Sequence, residues 1–563
     1  MPHPRYAGAM RHALLLLAAA LAWAQPVPNR APLQPNALEI FPLGSVKPKG
    51  WLLRQLRIQA EGQSGHLDEF WPSLDAKDSA WRGGPGEGWE RGPYYLDGLV
   101  PMAYLLEDPQ LIEKAKSWVE WTLANQRPDG AIGPAKNEDW WPNMIMLKAL
   151  IEYQEASGDK RVVPLMERYL LHHLANAESR PLRAWAIYRW ADEVVPLIWT
   201  YNRTGNPKLL DLARLLQRQG YDWRHHFEHF LYPFKVMRPE PGLPSHVVNN
   251  AMAIKTSAVW SLISKSPQDR AAIDRLFEVM DRHHLMPQGV HGGDEHYAGN
   301  APNQGTELCA VVEAMYSLER VISITGRADF ADRLERMTYN ALPATFSADM
   351  WTHQYDQQPN QILCSREKRD WTTNGPDSNL FGLEPNFGCC TANFHQGWPK
   401  FIKSLWMATP GGGLAAVAYG PSEVSTVAAG GVKVTIEELT SYPFRETVEF
   451  LLSPEKPVNF PLHLRVPAWA HGASLLVNGK PAAVQLKPGA FAVIRQLWKA
   501  GDMVTLRLPM PLRSSRWYNH SMAVERGPLV LALKVGEDWR KLKDYGFKGA
   551  ADYEVHPTTP WNY

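Results

Sequence analysis

The chain has 563 residues, 45% hydrophobic and 21% charged, with a net charge of +1. That length holds about two to four domains with sizeable cores. The near-neutral charge excludes the basic excess of a nucleic-acid binder, and no block of like charges reads as an interaction tail. The 23 tryptophans favour a carbohydrate partner, because an indole is a flat apolar platform with one polar edge.

The N-terminus reads as an export signal. Arg5, Arg11 and His12 precede the apolar run Ala13–Leu21, and "AWA" at Ala22–Ala24 is a small-x-small cleavage site before Gln25. The run is too short for an ordinary membrane span. Residues 1–24 are therefore expected to be a signal peptide, residues 25–45 a linker, and the protein periplasmic or secreted.

From 46 to 408 the pattern is helical. Amphipathic runs are broken at "LLEDPQLIEKA" (Leu105), "EASGDKRVVPLM" (Glu155), "NRTGNPKLLDLA" (Asn202), "ISKSPQDRAAIDRL" (Ile263) and "ITGRADFADRL" (Ile324). Glycine, proline, Asp, Asn and Ser at these breaks are helix stop and start signals. The spacing is that of repeated helical hairpins, which predicts a solenoid or a closed helical toroid. The loop "WRGGPGEGWERGPYY" from Trp81 belongs at one rim, where functional residues concentrate. In "RWADEVV", Asp192 and Glu193 lie in an apolar helix and point either to a lumen or to solvent.

After residue 412 the period becomes two. "VKVTI" (Val432), "LHLRVPAW" (Leu462), "VTLRL" (Val504) and "GPLVLAL" (Gly527) read as strands, and Asn478-Gly479 as a hairpin turn. Residues 412–563 are thus expected to form an antiparallel β-sandwich that stops abruptly at Tyr563.

Three of the four cysteines lie in "GTELCAVVE" and "NFGCCTANF": Cys309, Cys389 and Cys390. In an exported protein they are candidates for disulfides, although a bond between the neighbours Cys389 and Cys390 is strained. The alternatives are buried free thiols or a metal. Glu307, Cys309, Cys389 and Cys390 together make one carboxylate and three thiolates, a set that suits tetrahedral zinc. Thr391 is a possible helix cap, with Phe394, Trp398, Ile402 and Leu405 on one stripe behind it. The two adjacent cysteines then sit at a helix start, where a thiol pKa falls and a thiolate can act as nucleophile. In "VHGGDEHYAGN", Asp294 and Glu295 are candidate general acids. Cys364 has no partner and reads as a buried free thiol.

The stretch "GGDEHYAGNAPNQGTELCAVVE", followed by "GCCTANFHQGWPKF", resembles the β-L-arabinofuranosidase family, glycoside hydrolase family 127 and its relatives. The resemblance runs from about residue 46 to the end. It implies an (α/α)6 barrel followed by β-sandwich domains, and a retaining hydrolase of terminal β-L-arabinofuranosyl or related sugars in plant glycans. It further implies zinc on Glu307, Cys309, Cys389 and Cys390, with Cys389 as nucleophile and Glu295 as acid/base. His246 takes the place of a sugar-binding histidine, and a β-region that continues past Tyr563 is implied as well. Tyr355 and Trp140 are candidates for the sugar pocket, with Trp141 beside them. Two other readings stay open: a polysaccharide lyase using His246 with Tyr297 or Tyr355, and a non-catalytic carbohydrate-binding protein with structural zinc.

Overall fold

The structure, a computed structural model, describes residues 25–75, 77–237 and 242–562; the signal-peptide segment lies outside the described residues. Helices fill the chain between residues 50 and 403. Arg91–Leu106, Trp141–Ser157, Ala191–Thr204, Val247–Ser264, Leu308–Thr325 and Gly397–Lys403 pack each on the next, and the last returns to the first, which closes a ring. These helices are apolar on almost every side and almost wholly buried. A second helix stands outside each of them, and these outer helices keep one wet face, as Lys208–Gln219 does. The architecture is therefore an α/α toroid.

The helix breaks read from the sequence are chemical stops and starts. Gly158, Gly205 and Gly326 end helices in the left-handed conformation, and Asp108 and Ser266 cap the helices that follow.

The lumen of the ring is charged. Lys400 binds Asp97 at 2.6 Å and Lys255 binds Asp192 at 2.8 Å. Lys148 lies 3.5 Å from Asp97, 3.6 Å from Asp192 and 3.8 Å from Glu313. Burial alone would lower the Lys148 pKa, but Glu313, Asp97 and Asp192 raise it and keep the ammonium charged. Asp192 thus faces the lumen, while Glu193 turns to His173 at 2.7 Å.

Two sheets form the sandwich. One orders Glu39–Ile40, Trp406–Thr409, Gly413–Ala416, Val458–Val466 and Ala490–Trp498; the other runs from Lys480–Pro481 to Val46–Pro48 through Ser474–Val477, Asp502–Arg507, Thr447–Pro454, Val432–Thr440 and Ser422–Ala428. Strands before the barrel thus complete both sheets, so the segment read as a linker is partly strand. Pairing is antiparallel except between Val458–Val466 and Gly413–Ala416. Asn478 and Gly479 make the expected turn, with both φ angles positive.

Among the contacts that tie this β-region to the barrel, two stand out. The buried Arg465 pairs with Asp332 and Glu335 of the outer helix Ala328–Arg336. The final hairpin, Glu537–Asp544 with Ala551–Pro557, returns to the helical domain, where Val555 bridges Cys364 and Tyr553 bridges Phe381. No helix among the described residues is long and apolar enough to cross a membrane.

Four buried histidines give the fold an acid limit. Burial lowers His226 and His353 to about 4 and His284 and His395 to about 3. The unfolded value is about 6.5, so the unfolded chain binds more protons below it. Their stabilisation is complete above about pH 6.5 and is lost as pH falls toward 4. The thermal midpoint should therefore drop across that window at constant ionic strength. A midpoint that stays level or rises would contradict this.

Candidate active site

Three chain segments converge at one end of the barrel. The first is the start of the helix Leu308–Thr325, where Glu307 occupies the cap position and Cys309 lies in the first turn. The second is the short helix Gly388–Asn393, which carries Cys389 and Cys390. The third is the loop holding Glu295.

The expected continuous helix after the cysteines is interrupted by a 3-10 turn at Phe394–Gln396, and Gly397–Lys403 follows. The predicted apolar stripe of Phe394, Trp398, Ile402 and Leu405 is buried. Thr391 is not the cap. It lies inside the helix, and its hydroxyl donates to the Leu383 carbonyl at 2.8 Å, because Phe387 already takes the extended conformation at the helix entrance. Gly388 allows the chain to pass closely, since a Cβ there would meet Glu384 Oε1 at 2.5 Å.

The ligand atoms of Glu307, Cys309, Cys389 and Cys390 all lie within 4.8 Å of one another. Cys390 Sγ is 3.8 Å from Glu307 Oε1 and accepts a hydrogen bond from the Cys309 amide at 3.3 Å. All four cysteines are free thiols. Burial and the charges of Glu295 and Cys389 push the Glu307 carboxyl well up. Cys389 moves the other way, well below an ordinary thiol, because the Cys309 and Cys390 thiols donate to it. Glu307 Oε2 is buried with no hydrogen-bond partner among the described residues. A buried carboxyl group gathered with three thiols fits a tetrahedral thiophilic cation such as zinc.

Glu295 stands beside this cluster. It has φ +94°, a left-handed conformation rare outside glycine and typical of constrained functional positions. Its carbonyl accepts from the Val247 amide at 2.9 Å, which fixes it to the helix start that His246 caps. His246 Nε2 is 3.3 Å from Glu295 Oε1, and the Tyr355 hydroxyl donates to Glu295 Oε2. The ligand atoms of His246, Glu295 and Glu307 also lie within 4.8 Å of one another. Burial raises the Glu295 pKa, but the His246 contact and the Tyr355 hydrogen bond outweigh it and hold the carboxyl at about 2. The neighbouring Asp294 is turned away, bound to Lys235 at 2.7 Å and to the Thr373 amide at 3.0 Å.

Of the predicted residues, the structure gathers Glu307, Cys309, Cys389, Cys390, Glu295, His246 and Tyr355. Trp140 is apart from them. It is buried, stacked on His173 at 3.7 Å with Arg180 at 4.0 Å from its ring, and its indole N–H donates to the Arg180 carbonyl. The expectation of a sugar platform at Trp140 therefore fails, because neighbouring side chains already cover the ring. Tyr297 is fully buried, with its hydroxyl donating to Asn250. Cys364 is buried, and desolvation pushes its pKa up to about 12.

Sequence reasoning missed Glu90 and Arg189. Burial raises Glu90 to about 7 against the pull of Arg189, and Cys389 adds to the rise. Both residues lie in stretches already noted, the glycine-rich rim loop and "RWADEVV", but nothing in their spacing marked them.

Residues 52–403 match the family described as beta-L-arabinofuranosidase, GH127 catalytic domain, and residues 413–510 match the GH127 middle domain. The chain is 25% identical over 272 residues to a non-reducing end beta-L-arabinofuranosidase of Bifidobacterium longum subsp. longum, covering 43% of this chain and 38% of that relative's length. Two of the solved structures that share its fold illustrate the likeness. One is described as a glycoside hydrolase, with TM-score 0.71 and 16% identity over 95% of this chain and 97% of that one. The other is a GH127 beta-L-arabinofuranosidase from Geobacillus stearothermophilus T6, with TM-score 0.68 and 17% identity over 91% of this chain and 97% of that one. With more than half its length matched to the catalytic domain, the chain belongs to the β-L-arabinofuranosidase family, glycoside hydrolase family 127.

Proposed function

We propose that the protein is an exported, zinc-dependent retaining glycosidase that releases terminal β-L-arabinofuranosyl or related residues from plant glycans. One observation carries the reading: a cluster of three thiols and Glu307 within 4.8 Å, with the Glu295 carboxyl at its edge. Export rests on the N-terminal sequence pattern, and the substrate class on family membership.

Glu307, Cys309, Cys389 and Cys390 would hold the zinc, which supplies positive charge that keeps the buried thiols ionised. The remaining chemistry belongs to this chain's side chains. Cys389 Sγ attacks the anomeric carbon as the bond to the leaving-group oxygen breaks, and that oxygen takes a proton from Glu295. A thioglycosyl–Cys389 intermediate results. Water then gives a proton to Glu295 and attacks the anomeric carbon, the C–S bond breaks, and the electron pair returns to Cys389. Two inversions give net retention.

The resting carboxylate form of Glu295 suits the second step. The first needs it protonated. Burial is the largest influence on Glu295 and pushes its pKa up; the His246 contact holds it down. A sugar that loosens that contact lets burial prevail, and the carboxyl becomes a proton donor.

Two outcomes test this. Cys389→Ser should lower kcat by at least about a thousandfold, the range for losing a covalent nucleophile, while the thermal midpoint stays close to wild type. Activity within tenfold of wild type would remove Cys389 as nucleophile. His246→Ala should raise the Glu295 pKa in the free enzyme, so the protonated acid persists to higher pH and the basic limb of the kcat/KM–pH profile moves upward. A basic limb that stays or moves to lower pH would contradict the assignment.

A further inference from the structure

Two ionisable side chains near the site are not used by this chemistry, and one of them, Glu90, is close enough to Cys389 for the two charges to act on each other. Glu90 stands at the position just before the helix Arg91–Leu106, with no capping bond from its side chain, and Arg189 ends the helix Ala184–Arg189, so each is anchored by a rigid element. The Arg189 guanidinium lies between two indoles, 4.3 Å from the Trp141 ring and 4.4 Å from the Trp185 ring. Its Nε donates to Asn249 Oδ1 at 2.7 Å. The Asn249 amide in turn donates to His246 Nδ1 at 3.4 Å, and His246 meets Glu295. Arg189 is thus linked to the acid/base side of the site while Glu90 stands near the nucleophile.

The two groups are held by different partners and not by each other. Glu90 Oε2 accepts from the Trp141 indole at 2.6 Å. Arg189 Nη1 is 3.7 Å from Glu90 Oε2, an ion pair without a hydrogen bond. Two planar groups thus lie side by side, one a fork of N–H donors and one a pair of acceptor oxygens. Neighbouring sugar hydroxyls fill that arrangement, since each accepts one hydrogen bond and donates another. Trp185, half-buried and edge-on to His246 at 5.0 Å, adds an apolar surface next to it.

We propose that Arg189 and Glu90 grip a pair of neighbouring hydroxyls on the sugar ring and so determine which glycone the site accepts. This rests on the glycosidase reading. A site built to bond a hydroxyl rejects the analogue that lacks it, because the protein groups are then left unpaired.

The test is a cycle of protein and substrate changes. Aryl β-L-arabinofuranoside and its 2-deoxy and 3-deoxy analogues are assayed with wild type, Arg189→Met, Arg189→Lys and Glu90→Gln, after checking that thermal midpoint and zinc content match wild type. One deoxy analogue should cost the wild type about 10- to 100-fold in kcat/KM, the range for a hydrogen bond to a charged group. The Arg189 variants should lose a similar factor on the parent sugar, largely as raised KM, and no longer discriminate against that analogue. Arg189→Lys keeps the charge without the planar fork, so it gives the same answer if the Met variant does not fold. Variants that discriminate as wild type does would overturn the inference and leave the glycosidase reading intact. A wild type that cleaves no aryl glycoside would overturn that reading and this inference with it.

Discussion

Four groups that become anionic on losing a proton, Glu307, Cys309, Cys389 and Cys390, share a single buried space. In a medium of low dielectric they cannot all ionise unless positive charge is brought in. The protons distribute accordingly: Glu307, Cys309 and Cys390 are pushed up, while Cys389 alone goes down because its two thiol neighbours donate to it. One sulfur is thereby singled out, and it is the one that is only partly buried.

Keeping that crowd together falls to the scaffold. Glu313 lies one turn beyond Cys309 and accepts from Asn393 at 3.2 Å and Gln396 at 3.1 Å, a few residues beyond Cys390. A single buried carboxylate therefore fastens both cysteine-bearing helices, and the Lys148 ammonium in the lumen balances its charge. From outside, Arg465 pins the helix Ala328–Arg336, which packs on the helix Leu308–Thr325. The returning hairpin fixes the approach to Cys389, since Asp552 accepts from the Leu383 amide at 3.0 Å and Leu383 in turn holds Thr391. Removing one member of such a buried pair typically costs about 3–5 kcal/mol. The β-region thus contributes to the geometry of a site it does not enter.

Much of this was legible in the sequence, for local reasons. Helix stops such as Gly158 and Gly205 are single-residue chemistry, and the Asn478-Gly479 turn needs only two positive φ angles. Paired cysteines beside a Glu-x-Cys stand out because thiols are scarce in this chain. What escaped depends on the closed ring. Trp140 and Trp141 are adjacent and chemically alike, yet packing covers the first with His173 and Arg180 and turns the second toward Glu90. Arg189 looks like any helical arginine until the ring sets it between two indoles. Strands Glu39–Ile40 and Val46–Pro48 gain their meaning only from partners more than three hundred residues away.

The central claim is that Glu307, Cys309, Cys389 and Cys390 form one metal centre. X-ray absorption at the zinc edge of the purified protein tests it most directly. The account predicts about one zinc per chain with three sulfur neighbours at about 2.3 Å and one oxygen at about 2.0–2.2 Å. Zinc surrounded only by nitrogen and oxygen, or a fully active protein without metal, would contradict it.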